Sequence, residues 1–346
     1  MKAVVFREFG GPEVLRYEDV PTPEPGPGEV LIKVGACSLN RGPDAMVRSG
    51  AFGMQGVALP HVSGADPAGE VIALGEGVDE VEVGARVAVY PILSCRECDM
   101  CLTYGENYCP HYRLVGVQTW GGQAEYVVVP AYNVVPIADS LSFEAATTLG
   151  ISYVTTWHGM ITKAGTKKGE TVLVMAAGSG VGAAAIQIGA MIGARVLATT
   201  GSLWKADRAK ELGAAEVFDY TDPDWPAKVM AATDGKGVDV LFDNVVSTWS
   251  QSLNCLARGG RMFNSGITGA REASIDVLSL YRNMNTFYFY MEGTKQEMVH
   301  LADLMGTGQL TPAIDSVFPL SESAAAQAKL DAKQQFGKIV LKPEWS

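Results

Sequence analysis

The chain has 346 residues, of which 47% are hydrophobic and 19% are charged, and its net charge at pH 7 is −11. This length exceeds one typical core, so we expect two domains. The negative charge argues against a nucleic-acid partner or an anionic membrane surface. No apolar stretch reaches transmembrane length, and the first residues lack the apolar region of a signal peptide. We therefore expect a cytoplasmic protein.

Short runs in which apolar and polar residues alternate predict β-strands in the first third of the chain. They lie at residues 29–36, 68–75, 85–91 and 124–130. Turn clusters rich in proline and glycine, such as PTPEPGPGE, stand between such runs. This pattern predicts an all-β, barrel-like region.

Four cysteines stand close together within this region, in the spacing C-x2-C-x2-C-x7-C; they are Cys95, Cys98, Cys101 and Cys109. Four thiolates can surround one Zn²⁺ tetrahedrally at roughly 2.3 Å, a closed shell that is typical of a structural site. A disulfide pair would need an oxidising compartment. A bacterial iron–sulfur run has a shorter last gap. We expect structural zinc, with the two other cysteines, Cys37 and Cys255, as small core residues.

From Gly169 onward the chain alternates apolar strands with helical patterns. The predicted strands lie at 171–177, 194–200, 215–220, 238–244 and 260–266, and the first two predicted helices at 182–194 and 205–214. Strand–helix alternation of this kind predicts a parallel, doubly wound sheet. Two further helical segments and a terminal strand at 336–343 complete the chain.

A glycine-rich turn, AAGSGVG (176–182), joins the first strand of this region to its helix. Glycines in this position allow a tight turn and let the backbone approach a pyrophosphate at the helix N-terminus. The residues expected to face the pyrophosphate are Gly178, Ser179, Gly180, Val181 and Gly182. The context predicts a dinucleotide site; a simple strand–helix turn is the alternative.

The end of the second strand indicates which dinucleotide is bound. A carboxylate there would bind the adenosine ribose hydroxyl and repel a 2′-phosphate. The chain has Thr200 instead, followed by Ser202 and Lys205. A small polar turn with a lysine suits a phosphate, so we expect NADPH rather than NADH. The alternative is that Lys205 is only a solvated helix residue.

On these motifs the chain resembles a medium-chain dehydrogenase/reductase, similar to zinc-type alcohol dehydrogenases and quinone oxidoreductases. The segments that carry the resemblance are 60–87, 121–130, 170–190, 210–220 and 336–343. The resemblance implies an α/β fold, with a GroES-like β-barrel domain, a Rossmann doubly wound parallel sheet and the cofactor in the cleft between them. The expected barrel domain comprises 1–128 and 294–346, with the zinc lobe at 93–112; the Rossmann NADP-binding domain comprises 129–293.

The resemblance also allows the catalytic zinc ligands of alcohol dehydrogenases to be compared with the residues of this chain. Alcohol dehydrogenases hold a catalytic zinc with a cysteine, a histidine and a second cysteine. These positions fall at Asn40 (or Arg41, if an insertion shifts the alignment), at Ala65 within a Gly-His-Glu-like motif, and near Ile151. None offers a thiol or an imidazole, so we expect no catalytic zinc at these positions.

Loss of these ligands matches the quinone oxidoreductase and enoyl-reductase branch. We therefore expect an NADPH-dependent reductase of quinones or α,β-unsaturated carbonyl compounds, with enoyl thioesters among the candidates. Related enoyl reductases carry a tyrosine acid where this chain has Phe52, which has no proton to give. Asn40 is the candidate catalytic residue, as a hydrogen-bond donor to a developing oxyanion. Its alternative role is to satisfy loop backbone groups.

The resemblance assigns further cofactor contacts. Tyr220 matches a tyrosine beside the 2′-phosphate, Thr155 a threonine against the nicotinamide ring, and Lys338 a basic residue near the pyrophosphate. The strand ends expected near the nicotinamide carry Asn244, Ser265, Gly266 and Ile267. DNVVST (243–248) departs from the Val-Gly-Gly turn that is common in the family.

The aromatic segment MNTFYFYMEG (284–293) resembles the strand that pairs across a two-fold axis in this family, which implies a homodimer. A buried strand within one subunit is the alternative. Two other functions stay open: an alcohol or ketone oxidoreductase of the same superfamily, and an NADPH-binding protein with weak catalysis. In each reading the partner is a small molecule.

Overall fold

The computed structural model describes residues 1–52 and 56–345. They form two compact units, Met1–Val154 with Thr294–Ser346, and Thr155–Gly293. The described residues include no helix that is both long enough and apolar enough to span a bilayer.

The first unit is built mainly from strands. Before the second unit begins, its strands are β1 (Lys2–Val5), β2 (Arg16–Asp19), β3 (Glu29–Ser38), β4 (Asp66–Leu74), β5 (Arg86–Val89), β6 (Ile92–Leu93), β7 (Arg113–Leu114), β8 (Tyr126–Pro130) and β9 (Val134–Pro136). Its helices there are α1 (Asp99–Tyr104) and α2 (Phe143–Ala146), and α3 (Val154–Trp157) contains the boundary to the second unit.

The second unit alternates strands and helices, as the sequence predicts. Its strands are β10 (Thr171–Val174), β11 (Arg195–Thr200), β12 (Ala214–Asp219), β13 (Val238–Phe242), β14 (Leu256–Asn264) and β15 (Thr286–Phe289). Its further helices are α4 (Gly180–Met191), α5 (Trp204–Glu211), α6 (Trp225–Ala232), α7 (Trp249–Ser252) and α8 (Val277–Asn283).

The chain then returns to the first unit with α9 (Lys295–Gly306), β16 (Ile314–Pro319), α10 (Ser323–Asp331) and β17 (Lys338–Lys342). The main sheet of this unit has the order β16-β17-β3-β4-β5-β9, and β8 also pairs with β3. Alternate residues of β3, including Val30, Ile32 and Val34, are fully buried in its core. This arrangement places the ends of β3, β4 and β17 side by side.

The sheet of the second unit has six parallel strands in the order β12-β11-β10-β13-β14-β15. This is the doubly wound order in which the chain reverses direction across the sheet beside its first strand. The strands are apolar because helices cover both faces of such a sheet. In β10, for example, Val172, Leu173 and Val174 are completely buried. The predicted fold class is confirmed.

One predicted domain boundary needs correction. The structure joins residues 129–154 to the first unit, whereas the sequence analysis assigned them to the Rossmann domain. The reason is strand pairing: β8 continues to Pro130 opposite β3, and β9 pairs antiparallel with β5. The division in the structure places the return to the first unit at Thr294.

Candidate functional site

The glycine turn after β10 forms a pre-organised helix N-terminus. The Ser179 hydroxyl accepts a hydrogen bond from the Gly182 amide at 3.0 Å and donates one to the Ala176 carbonyl at 2.9 Å. A Cβ at Gly182 would lie 2.3 Å from the Ala176 carbonyl oxygen, so only glycine allows this close approach. The first turn of α4 therefore has the geometry that binds an anionic phosphate group.

The stem of Lys205 lies across this turn. A Cβ on Gly178 would come within 2.6 Å of the Lys205 Cδ atom and 3.3 Å of its Nζ atom. Lys205 is 8% exposed, and its ammonium lies 5.2 Å from the centre of the Trp204 ring. Lys205 therefore packs against the glycine turn. It is not the fully solvated helix residue that the alternative interpretation predicted.

The end of β11 brings the predicted phosphate-site residues together. The Thr200 carbonyl accepts from the Tyr220 amide at 3.1 Å, and the Thr200 hydroxyl accepts from the Ser202 amide at 3.2 Å. A Cβ at Gly201 would lie 2.5 Å from the Tyr220 phenol oxygen. The tyrosine therefore lies over the turn, and no carboxylate stands at the strand end itself.

The ends of β13 and β14 are linked by a pair of side-chain hydrogen bonds. The side-chain Nδ2 of Asn244 donates to the Ser265 hydroxyl at 3.1 Å, and the Ser265 backbone amide donates to the side-chain Oδ1 of Asn244 at 2.8 Å. Gly266 lies against Asn244, since its Cβ would be 3.3 Å from that side chain. Ile267 follows and is 43% exposed.

The unusual DNVVST turn is organised by Asp243. Its carboxylate is fully buried and accepts hydrogen bonds from the Thr248 and Ser252 hydroxyls, both at 2.7 Å, and from the Val245 amide at 2.7 Å. Burial raises the pKa of Asp243, although these donors oppose the shift. Val246 has φ of +69°, a left-handed conformation that is strained for a β-branched residue. The resemblance implies a Val-Gly-Gly turn at this point. Here the non-glycine residue Val246 adopts a strained backbone conformation within the turn instead.

Thr155 lies in a buried polar contact that the sequence analysis missed. Its hydroxyl donates to the carboxylate of Glu292, and its carbonyl accepts from the Tyr290 phenol at 2.9 Å. Both Thr155 and Glu292 are at most 5% exposed. The sequence signal for this contact was limited to an acidic residue, Glu292, near the end of the aromatic segment 284–293.

A second polar cluster lies in the first unit, where β3 ends and where β4 and β17 begin. The Lys338 ammonium donates to the side-chain oxygen of Asn40, Oδ1, at 2.6 Å and to Asp66 Oδ2 at 3.3 Å. The Asn40 amide nitrogen and the Ser38 hydroxyl also donate to Asp66 Oδ2, at 2.7 and 3.1 Å. Burial raises the pKa of Asp66, and the adjacent ammonium opposes this shift. We call Asn40, Asp66 and Lys338 the ammonium cluster.

The ammonium cluster shows which groups Lys338 contacts. Its side chain is 4% exposed and its ammonium donates to Asn40 and Asp66, and the expected position of Lys338 near the pyrophosphate stays a prediction. A buried ammonium needs such partners, because an unpaired charge away from water is costly. Asn40 is the candidate catalytic residue. Its side-chain oxygen accepts a hydrogen bond from Lys338, and its side-chain nitrogen donates one to Asp66.

A further buried carboxylate adjoins this cluster. Asp44 accepts from the Asn40 backbone amide at 2.7 Å and from the Gln123 side chain at 2.8 Å, and it is completely buried. Gln123 in turn accepts from Gln327, which accepts from Arg48. Burial raises the pKa of Asp44 to about 7, because neither of its direct donors carries a charge.

The four clustered cysteines come together as the spacing predicts. Their sulfur atoms all lie within 4.8 Å of one another; the Cys95–Cys101 distance is 3.8 Å and the Cys95–Cys109 distance 3.5 Å. A tetrahedron with Zn–S bonds of roughly 2.3 Å has edges of about 3.8 Å, so the donor set fits one Zn²⁺. Among the described residues, this is the one His/Cys/Asp/Glu group of three or more placed to bind a metal.

The other cysteines and the nearby histidines have structural partners. Cys37 and Cys255 are buried, and burial raises the pKa of both thiols, that of Cys255 to about 12. This confirms them as core residues. His61 shares a hydrogen bond of 3.0 Å with the Gly116 carbonyl, and the His158 ring packs 5.2 Å from the Tyr290 ring.

Comparison with known proteins defines the class of enzyme. An alcohol dehydrogenase GroES-like domain matches residues 26–139, and a zinc-binding dehydrogenase domain matches residues 180–307. With these domains and the full-length relatives below, the chain belongs to the medium-chain dehydrogenase/reductase superfamily and is an oxidoreductase.

Particular relatives fall in two groups. A quinone oxidoreductase from Sus scrofa is 32% identical and covers 99% of this chain and 97% of its own length. A crystal structure of an NAD-dependent alcohol dehydrogenase has 40% identity, a TM-score of 0.94 and 99% coverage of each chain. A cobalt- and zinc-bound alcohol dehydrogenase from Pyrobaculum aerophilum has 32% identity, a TM-score of 0.89 and 99% coverage of each chain.

Proposed function

We propose that this oxidoreductase transfers hydride from NADPH to quinones or α,β-unsaturated carbonyl compounds, enoyl thioesters included, without a catalytic zinc. One observation carries the proposal: the Lys338 ammonium lies 2.6 Å from Asn40 Oδ1, where the resemblance places a metal-binding thiolate in zinc enzymes. The other two ligand positions hold Ala65 and Ile151, which offer no donor side chain. The full-length similarity to quinone oxidoreductases supports the same branch.

The protein's own residues would bind and orient the cofactor, which supplies the hydride when bound. The first turn of α4, capped by Ser179, would hold the pyrophosphate. Thr200, Ser202, Lys205 and Tyr220 would surround the 2′-phosphate, as their placement around β11 and the glycine turn supports. The end of β14 and the Thr155–Glu292 contact would position the nicotinamide.

Steady-state oxidation of NADPH tests this function directly. We expect turnover with a quinone or an enal, little turnover with a saturated ketone, and about one zinc per chain in the same preparation. Activity with ketones alone would overturn the proposal. No activity with any acceptor would favour an NADPH-binding protein with little catalysis.

A second candidate function is an NAD-dependent alcohol dehydrogenase. The observation that favours it is the structure with that description, at 40% identity over 99% of each chain. It predicts NADH as the better cofactor, alcohol oxidation, and a second metal ion per chain if the reaction uses zinc. Measured cofactor preference and metal content therefore separate the two functions.

The Thr200→Asp variant is expected to reverse the cofactor preference. A carboxylate at the end of β11 would repel the 2′-phosphate, and like charges in contact cost several kcal/mol. We expect kcat/KM for NADPH to fall roughly 100-fold while that for NADH holds or rises. Thr200→Val, which adds no charge, is the control and should lose less than about fivefold. A wild-type enzyme that already prefers NADH would contradict the prediction.

We further propose that the four cysteines bind one structural zinc. The lobe they form is fastened to the rest of the first unit through α9. The Lys295 amide donates to the Glu106 carboxylate at 2.7 Å, and the Lys295 ammonium lies 4.3 Å from the centre of the Tyr132 ring. A metal in this lobe would therefore stabilise the surrounding loop rather than act on substrate.

We also propose a homodimer formed through β15. This strand lies at the edge of the parallel sheet, with β14 as its one neighbour in the described sheet. Exposed apolar side chains lie along it and before it, among them Tyr281 (79% exposed), Met284 (59%) and Phe289 (63%). An uncovered edge with this composition favours pairing with a second copy.

The Phe289→Arg variant is expected to be monomeric. A guanidinium facing its own copy across a two-fold axis places like charges together, which opposes association. Sedimentation velocity should give a monomer for this variant and a dimer for the wild type. Val83→Arg, a change at another exposed apolar residue (60% exposed), should leave the dimer intact. A monomeric wild type would refute the dimer.

A further inference from the structure

The ammonium cluster contains hydrogen-bonding groups that the fold does not use. A lysine ammonium has three N–H donors. The described residues accept from Lys338 at two points, Asn40 Oδ1 at 2.6 Å and Asp66 Oδ2 at 3.3 Å, which leaves one donor over. The Asn40 side-chain amide donates once, to Asp66, so its second N–H is also unassigned among those residues.

Asp66 adds an unused acceptor to the same cluster. Its Oδ2 atom receives hydrogen bonds from Ser38, Asn40 and Lys338, whereas Oδ1 has no partner among the described groups and is buried. Buried polar atoms in native proteins are almost always paired, so an orphaned oxygen beside two spare donors needs a physical explanation. The two spare N–H donors, on Lys338 and Asn40, would suit a ligand oxygen, whereas the Oδ1 acceptor of Asp66 would need a separate donor such as a water molecule.

We propose that Lys338 and Asn40 form the donor pair that binds the carbonyl oxygen of the acceptor. This inference rests on the proposed function and deepens it by naming what replaces the metal as the electrophile. The ammonium is held by Asn40 and Asp66, so little reorganisation is needed when charge develops. Hydrogen bonds from a charged donor are roughly twice as strong as those from a neutral one.

The step that this donor pair assists needs only the reduced cofactor and a solvent proton. When bound, the cofactor would supply a hydride, with its electron pair, and this hydride forms a C–H bond at the β-carbon of the enal or enone. The carbon–carbon π electrons shift toward the carbonyl, whose oxygen becomes an enolate oxyanion held by Lys338 and Asn40. A solvent proton then bonds to the α-carbon as the carbonyl re-forms. The cofactor is oxidised and the acceptor is reduced.

A coloured enal reports on this contact without turnover. Dimethylaminocinnamaldehyde absorbs at longer wavelength when a cation or strong donor polarises its carbonyl oxygen. In the presence of NADP⁺, which cannot donate hydride, we expect the wild-type protein to shift the probe to the red. Lys338→Met should abolish the shift, because a thioether cannot polarise the oxygen.

The matched control is Lys342→Met on the same strand. Lys342 is half-exposed and pairs with Glu144 at 2.6 Å, outside the ammonium cluster, so the red shift should be unchanged. Because Lys338→Met leaves Asp66 buried without its cation, the double variant Asp66→Asn/Lys338→Met is measured as well. It removes the uncompensated charge at Asp66 and should also lack the shift.

Cofactor binding separates this role from a pyrophosphate contact. We expect the Kd of Lys338→Met for NADPH to stay within about threefold of the wild type, while single-turnover reduction of an enal slows by roughly 100-fold or more. An NADPH Kd raised tenfold, with the red shift kept, would assign Lys338 to the cofactor and overturn the inference.

The remaining outcomes are also decisive. No red shift with the wild type, or a shift that survives in both Lys338 variants, overturns the inference whatever the activity. A red shift that depends on Lys338, in a protein that reduces neither quinones nor enals, supports the donor pair and instead refutes the proposed reductase function. Circular dichroism of each variant confirms that it is folded.

Discussion

The Cys109→Ser variant is expected to be isolated without zinc and to unfold at a lower temperature than the wild type. Cys109 is buried, and its sulfur lies 3.5 Å from that of Cys95, so a serine there would remove one of four thiolate donors. A hydroxyl is a poor ligand for zinc at neutral pH compared with a thiolate.

The size of this effect follows from the affinity of structural zinc sites. Such sites in small peptides bind with roughly 10 kcal/mol or more, which corresponds to a Kd of about 50 nM. At about 10 µM free zinc, a site of that affinity adds about 3 kcal/mol to the folded state. For a chain of this size, we expect Tm to fall by roughly 4 °C.

Metal analysis and thermal unfolding check the prediction together. The wild type should contain about one zinc per chain, and Cys109→Ser less than about one tenth. Cys255→Ala, which changes a buried thiol outside the cluster, should retain the metal. A full complement of zinc in Cys109→Ser would show that the metal is bound elsewhere. Two zinc ions in the wild type would contradict the zinc-free reaction.

A strong pH dependence of stability is expected from Asp44. Its pKa is about 7 in the folded protein, against an ordinary value of 3.8, chiefly because the carboxylate is completely buried. Asp66 nearby raises this pKa further, while the Asn40 amide, Lys338 and the Gln123 side chain oppose the increase. The folded state therefore holds the Asp44 proton more tightly than the unfolded chain does.

The sign of the effect follows from this difference. Between about pH 4 and pH 7 the folded state binds more protons at Asp44, so the free energy of unfolding falls as the pH rises through this window. Above about pH 7 the carboxyl group is ionised in both states and the full penalty remains. With 1.36 kcal/mol for each pKa unit, Asp44 should cost about 2 to 3 kcal/mol between pH 5 and pH 8.

Denaturant unfolding of wild type and Asp44→Asn at these two pH values measures the contribution of Asp44 to the pH dependence of the free energy of unfolding. The amide cannot ionise, so the variant should lack this part of the pH dependence and gain about 2 to 3 kcal/mol relative to wild type from pH 5 to pH 8. Asp19→Asn is the control, because Asp19 is largely exposed and its pKa is lowered by Lys2. Parallel pH profiles for wild type and Asp44→Asn would refute the assignment.

Some of the candidate site follows from local sequence, and some does not. The glycine turn, its Ser179 cap and the cysteine spacing act over a few residues, so their geometry follows from the residue types themselves. Glu292 carries no such signal, because its hydrogen bond to Thr155 joins residues 137 positions apart. Side-chain contacts at such separations depend on how the elements pack.

The contacts of Lys338 also depend on residues that are distant in the sequence. Similarity of the FGKIV segment implies a cofactor contact, but the conformation of the lysine depends on what stands beside it. Asn40 is 298 positions away, and Asp66 is 272 positions away. A buried ammonium without a partner is costly in free energy. Hydrogen bonds to these two acceptors therefore stabilise the buried conformation of the lysine.

By itself, the amino-acid sequence determined the two-part fold, the glycine turn between strand and helix, the clustering of four thiols and the membership of an oxidoreductase superfamily. These features depend on hydrophobic periodicity and short-range backbone geometry, which neighbouring residues control. Tertiary structure alone decided that residues 129–154 belong to the first unit and that Lys338 lies between Asn40 and Asp66. Strand order brings such distant groups together, and charge burial then selects their partners.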